Sequence, residues 1–285
     1  MSIVKCRSYY LSEDRSLNFI GNLSTNRNFM ADRWNNLGDR EIHSINFSVY
    51  PSPCQCRCFY CTVPPEDICN PNQEVHSDMY EKVFDIIERA QKEGMIATDV
   101  TWLISSGEIT IHPYKDRILS LLKNSTAMFF TNCFIFDEKI AANLVANPQS
   151  VIFFSIDAGT HETWYRVKGC KNFVTVTDNL SKYYTSSGRS GQILLKYIIL
   201  PGINDSLEDF HSIIEIMKDL GISYLLLSCD LRIKNSTDWR KRQAILRAAG
   251  ALTHILYKNG MTMSLNDNSF FPDETAKVIA FANEQ

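Results

Sequence analysis

Residues 45–61 read Ile45-Asn46-Phe47-Ser48-Val49-Tyr50-Pro51-Ser52-Pro53-Cys54-Gln55-Cys56-Arg57-Cys58-Phe59-Tyr60-Cys61. The first six residues have the character of a β-strand, and the chain runs from them straight into a loop with four cysteines. Downstream, short apolar runs alternate with amphipathic stretches. Strands are expected at 100–104, 127–130, 151–156, 193–200 and 224–227. Helices are expected at 78–93, 114–123, 137–147, from His161 to a break at Gly169, at 173–184, after Asp205 to near Gly221, and at 239–258. In the first helix Met79, Val83, Ile86, Ile87 and Ala90 keep the spacing of one buried face. In the helix after Asp205 a capping box of Asp205 and Glu208 precedes the buried set Leu207, Phe210, Ile214 and Met217. Strand-then-helix units in series predict an α/β fold, a parallel sheet with helices outside it. Its expected form is a partial (β/α)6 barrel of TIM type, with an open doubly wound sheet as the second choice. Three parts follow: a polar N-terminal extension over 1–43, the barrel over 44–260, and a closing strand and helix over 261–285.

The 285 residues are 45% hydrophobic and 21% charged, the usage of an ordinary soluble protein, with length enough to bury a core without metal or disulfide staples. A net charge of −3 gives no electrostatic footprint for nucleic acid or an anionic membrane. No apolar run approaches the ~18 residues of a membrane span. Met1–Tyr10 lacks the apolar centre of a secretory leader, so a cytoplasmic location is expected. Five of the nine cysteines (Cys54, Cys56, Cys58, Cys61, Cys69) lie close together while the others are scattered. A local cluster in a chain of this size reads as metal chemistry rather than a disulfide scaffold.

Cys54, Cys58 and Cys61 form C-x3-C-x2-C. Three closely spaced thiolates suit a [4Fe–4S] cubane, and three protein ligands on four irons leave one iron open to an outside ligand. The alternative is a structural zinc on Cys54, Cys56, Cys58 and Cys61, in a non-catalytic barrel that recruits a partner. The six histidines are dispersed, and the basic stretch from Lys234 to Arg247 reads as a solvated helix face. There is no P-loop and no G-x-G-x-x-G.

With its three-cysteine spacing in the loop after the first barrel strand, the chain resembles the radical S-adenosylmethionine (radical SAM) superfamily. Later strand ends resemble that family too: Ser106-Gly107-Glu108, Thr131-Asn132-Cys133, Ser155-Ile156-Asp157-Ala158, the segment around Arg166, and the run through Ile199 to Asp205. The likeness covers about residues 45–230. It implies an enzyme with one [4Fe–4S] cluster on Cys54, Cys58 and Cys61, binding S-adenosylmethionine (SAM) at the open iron. Reductive cleavage of SAM would give a 5′-deoxyadenosyl radical that takes a hydrogen atom from the substrate. It also implies that Tyr60 contacts the adenine and that Ser106, Gly107 and Glu108 meet the SAM amino group. Thr131 and Asn132 would line the cofactor site, Ser155 and Asp157 would bind the ribose, Arg166 the carboxylate, and the apolar stretch with Ile199 would pack on adenine. A small molecule, sugar or peptide would be the substrate, and flavodoxin or ferredoxin the one-electron reductant. Cys229, at the end of the sixth strand, reads as a packed thiol or, by likeness to radical SAM epimerases, as a hydrogen-atom donor.

Overall fold

The computed structural model describes residues 10–11, 16–22, 41–50, 52–61, 63, 68–69, 77–105, 107–122, 124–234 and 238–284. The chain divides into two compact units. One comprises Met1–Gln55, Val63–Thr131 and Asp137–Ile152, the other Cys56–Thr62, Asn132–Phe136 and Phe153–Gln285.

The first unit contains β1 (Tyr10–Leu11), β2 (Ser16–Asn22), β3 (Ile42–Tyr50), β4 (Ser52–Pro53), β5 (Ile68–Cys69), α1 (Ser77–Lys92), β6 (Ile96–Ile104), α2 (Lys115–Leu122), β7 (Thr126–Phe130) and α3 (Glu138–Ala146). Its strands lie in the order β1-β2-β3-β6-β7. Only the β1–β2 pair is antiparallel; β2 with β3, β3 with β6 and β6 with β7 are parallel. The expected N-terminal extension thus supplies a strand, with Ser16 opposite Ser44 and Asn22 opposite Tyr50. The buried face of α1 is Tyr80, Val83, Phe84, Ile87 and Ala90. Val83, Ile87 and Ala90 fall on the expected stripe, and two aromatic rings, those of Tyr80 and Phe84, widen it by packing against Phe47 of β3 at 6.5 and 6.3 Å between centroids. Ile86 is only half-buried. Asp137 caps α3, accepting from the amides of Lys139 and Ile140 at 3.0 and 3.1 Å, and Lys115 reaches its other oxygen at 2.6 Å.

β8 (Val151–Ser155) leads into the second unit, followed by α4 (His161–Lys168), α5 (Phe173–Ser187), β9 (Ile193–Ile199), α6 (Leu207–Asp219), β10 (Tyr224–Cys229), α7 (Leu231–Lys234), α8 (Trp239–Lys258), β11 (Thr262–Leu265) and α9 (Glu274–Asn283). The order is β8-β9-β10-β11, with β10 parallel to both neighbours. Phe154 of β8 buries against Trp164 of α4. α6 departs from expectation in two ways. Ser206 is its cap, accepting from the Asp209 amide at 3.2 Å, while Asp205 accepts from the Gly202 amide in the preceding turn. Leu207 is 60% exposed and Ile213 is buried instead; a residue in the first helical position projects past the end of the packed face.

The fold is α/β, a mostly parallel sheet with helices between its strands. Strand order follows chain order within each unit, as a partial barrel of TIM type requires; a doubly wound sheet reverses direction partway. Among the described residues no helix is long and apolar enough to cross a membrane.

Candidate functional site

The cysteine loop of the second unit is held by backbone. The Arg57 amide donates to the Lys168 carbonyl at 2.9 Å and the Phe59 amide to the Val167 carbonyl at 2.8 Å, so alternate residues of the loop are tied to the last turn of α4. The Cys61 amide donates to the Cys58 carbonyl at 3.0 Å, closing a turn. Gly169 ends α4 in the left-handed conformation at φ +70°, and a Cβ there would stand 3.0 Å from Arg57 Cβ. Both the φ and the closeness of the loop call for glycine.

The cysteines of this loop differ in access. Cys58 is half-buried and Cys61 is exposed, whereas Cys56 is buried at 3%, with Asn132 Nδ2 3.6 Å from its sulfur; Cys54, in the first unit, is half-buried. The Cys58 thiol is drawn down to about 6, first by a hydrogen bond with Cys56 and then, against burial, by the Lys168 ammonium. Cys170, beyond Gly169, also titrates below its ordinary value, chiefly through a hydrogen bond with Cys56. The donor set fits an iron–sulfur cluster in kind: soft thiols, with the three of the C-x3-C-x2-C spacing accessible and the odd one buried. Among the described residues no three His, Cys, Asp or Glu side chains already stand in a group that could hold a metal ion.

Behind the loop lies a buried polar cluster. Asp157, 0% exposed, follows β8 in a left-handed conformation at φ +49°. Its Oδ2 accepts from Tyr60 Oη and Lys168 Nζ, both at 2.6 Å, and its Oδ1 from the Ile198 amide at 2.6 Å. Lys168 Nζ also donates to Tyr60 Oη at 2.6 Å and to the Ser155 carbonyl at 2.7 Å. Burial pushes the Lys168 ammonium down, but Asp157 and Cys58 outweigh it and the net shift is upward. Burial, with Asp157 next, holds the Tyr60 phenol well above its usual range. Sequence reasoning passed over Lys168. The one available signal was a lysine in the last turn of a helix, where an exposed ammonium is commonplace.

The remaining expected site residues fall as follows. In the first unit Gly107 has φ +53°, and a Cβ would meet Ser52 Oγ and Pro53 O at 2.4 and 2.5 Å. Glu108, 1% exposed, accepts through Oε1 from the Thr110 amide at 3.0 Å, Thr110 Oγ1 at 2.7 Å and Thr131 Oγ1 at 2.8 Å. Glu108 and Thr131, from two strand ends, are therefore brought together. Ser106 lies outside the described residues. In the second unit Asn132 Oδ1 accepts from the Phe134 amide at 3.1 Å. Ser155 meets Lys168 through its carbonyl, and Ile199 is buried at 0%. Arg166 is exposed, its guanidinium donating to the carbonyls of Gly202 and Ile203 at 2.8 and 3.2 Å. The buried Cys229 thiol donates to the Ser269 carbonyl at 3.3 Å and accepts from Arg242 Nη1 at 3.2 Å. Burial raises it above its ordinary value, against the pull of Arg242.

This α/β arrangement is similar to the fold of solved radical SAM enzymes. Among solved structures, SuiB of Streptococcus suis bound to S-adenosylmethionine matches with a TM-score of 0.54 at 13% identity, over 83% of this chain and 52% of SuiB. SuiB bound to its precursor peptide SuiA matches with the same TM-score. A radical SAM methyltransferase from Sphaerobacter thermophilus matches with a TM-score of 0.50 at 16% identity, over 75% of this chain and 64% of that one. A curated relative, a UPF0026 protein of Helicobacter pylori, is 22% identical over 193 residues, 65% of this chain and 61% of that protein. The chain thus spans about half of SuiB and 61% of the Helicobacter protein. No family model matches.

Proposed function

We propose that this protein is a radical SAM enzyme whose Cys54, Cys58 and Cys61 hold one [4Fe–4S] cluster. The observation that carries this reading is the C-x3-C-x2-C loop itself, leaving a barrel strand on a fold shared with radical SAM enzymes, its three spaced thiols accessible and its fourth buried. Held by Cys54, Cys58 and Cys61, such a cluster would supply the one-electron reduction that cleavage of SAM requires. The chain's own contribution is to hold and orient. Gly107 lets the backbone after β6 pass close to Ser52 and Pro53, and Glu108 and Thr131 lock two strand ends to each other. These strand ends are the groups we assign to SAM. The complex of SuiB with its precursor peptide makes a peptide the first substrate class to test here.

The experiment is anaerobic reconstitution with ferrous iron and sulfide, then SAM and dithionite. Expected are a brown protein with broad visible absorption, about four irons and four sulfides per chain, and release of 5′-deoxyadenosine. A colourless protein with one zinc, no sulfide and no SAM cleavage overturns the proposal.

A further inference from the structure

We propose that Lys168, acting with Tyr60 and Asp157, is a latch that fixes the cysteine loop against the end of α4 before any metal is bound. Lys168 is thus a positioning residue for the ligands on that loop. The proposal deepens the cluster reading and rests on it for the role of Cys58 and Cys61.

Hydrogen-bond capacity makes the first part of the argument. An ammonium has three N–H donors, and Lys168 has three acceptors at 2.6–2.7 Å: the Ser155 carbonyl, Asp157 Oδ2 and Tyr60 Oη. The phenol accepts from Lys168 and donates its own O–H to Asp157. The second carboxylate oxygen takes the Ile198 amide. Every atom of the cluster is paired, in a place where an unpaired charge is very costly. Lysines at helix ends ordinarily carry the ammonium out to water. This one turns inward, its side chain 5% exposed and that of Asp157 0%.

The second part is position. Tyr60 lies between Cys58 and Cys61 in sequence, so an anchored phenol fixes the stretch between two proposed ligands. The same stretch is tied by backbone, Arg57 to the carbonyl of Lys168 itself and Phe59 to that of Val167, and Gly169 permits the contact. One turn of helix thereby grips the loop by main chain and by side chain together. Asp157 holds the grip from the end of β8, through both of its carboxylate oxygens.

Hydrogen exchange on the metal-free full-length chain tests this, read at the amides of Arg57 and Phe59. Tyr60→Phe removes a single oxygen and leaves the Lys168–Asp157 pair, so it should fold. It is expected to speed exchange at both amides on the order of ten- to a hundredfold, with the amides of α8 unchanged. Lys168→Met should do the same and Lys168→Arg should restore most of the protection. In reconstitution both loosened variants should take up iron more slowly than the unaltered chain. Unchanged exchange at Arg57 and Phe59 in Tyr60→Phe overturns the latch, as does an increase spread equally over α8. Because exchange is read without metal, it decides the latch even if the unaltered chain takes up no iron, an outcome that overturns only the cluster reading.

Discussion

Four cysteines in eight positions carry identical chemistry, and their surroundings divide them. Cys56 is sealed beneath Asn132 and neighbours Cys58 and Cys170, whereas Cys54, Cys58 and Cys61 keep access to solvent. Alanine at any one of the accessible three should therefore remove most of the iron and sulfide and abolish SAM cleavage. Cys56→Ala should retain iron within about twofold, at a stability loss of about 1 kcal/mol from the small cavity. Iron and sulfide analysis after reconstitution checks this; Cys56→Ala losing iron as completely as Cys58→Ala would reassign the ligand set. Spacing alone allowed either the three-cysteine or the four-cysteine reading. The four differ in burial, and the buried Cys56 has as its neighbour Asn132, 76 residues away in sequence.

Helix ends do more here than terminate helices. α4 starts at Thr160, whose hydroxyl accepts from the Thr163 amide, and stops at Gly169; both signals were legible as local chemistry. What its last turn touches was not, since the two backbone bonds to Arg57 and Phe59 join segments more than a hundred residues apart. Gly169→Ala should cost about 1–2 kcal/mol from the left-handed backbone alone, with more from the 3.0 Å approach to Arg57. Denaturant unfolding measures that cost, and a loss below 0.5 kcal/mol, on the order of a neutral surface change, would show that the loop yields easily. Elsewhere the positions of elements and most of their buried faces followed the periodicity: Val83, Ile87 and Ala90 of α1 and Phe210, Ile214 and Met217 of α6 are buried as expected. The face of α1 also takes in Tyr80 and Phe84, whose aromatic rings bury a large area.

The stability of the whole chain should carry a pH signature from His112. Its Nδ1 accepts from the Tyr114 amide at 3.1 Å, which leaves the proton on Nε2 to donate to Tyr80 Oη at 2.9 Å. Burial lowers its pKa to about 4. Between that value and the ordinary one near 6.5, the unfolded chain binds a proton that the folded chain refuses. Stability therefore rises with pH through this window and falls on acidification from about 6.5 to 4, with a limiting slope of about 1.4 kcal/mol per pH unit. Urea unfolding across that range should show a shallower slope in His112→Gln than in the unaltered chain. Parallel curves would remove His112 as the titrating group.

By itself the sequence determined the class of fold, the succession of strands and helices, and the cysteine-rich loop that follows a strand. These are consequences of local periodicity and of ligand spacing, which a few consecutive residues carry. Only the tertiary structure decided which cysteine is buried, that Glu108 and Thr131 share hydrogen bonds, that Arg166 spends its guanidinium on two carbonyls, and that Lys168 turns inward to Asp157 and Tyr60. Each of these is a pairing between distant segments. A buried charge or hydroxyl must find its partner wherever the packed chain brings one, and no short stretch of sequence records where that is.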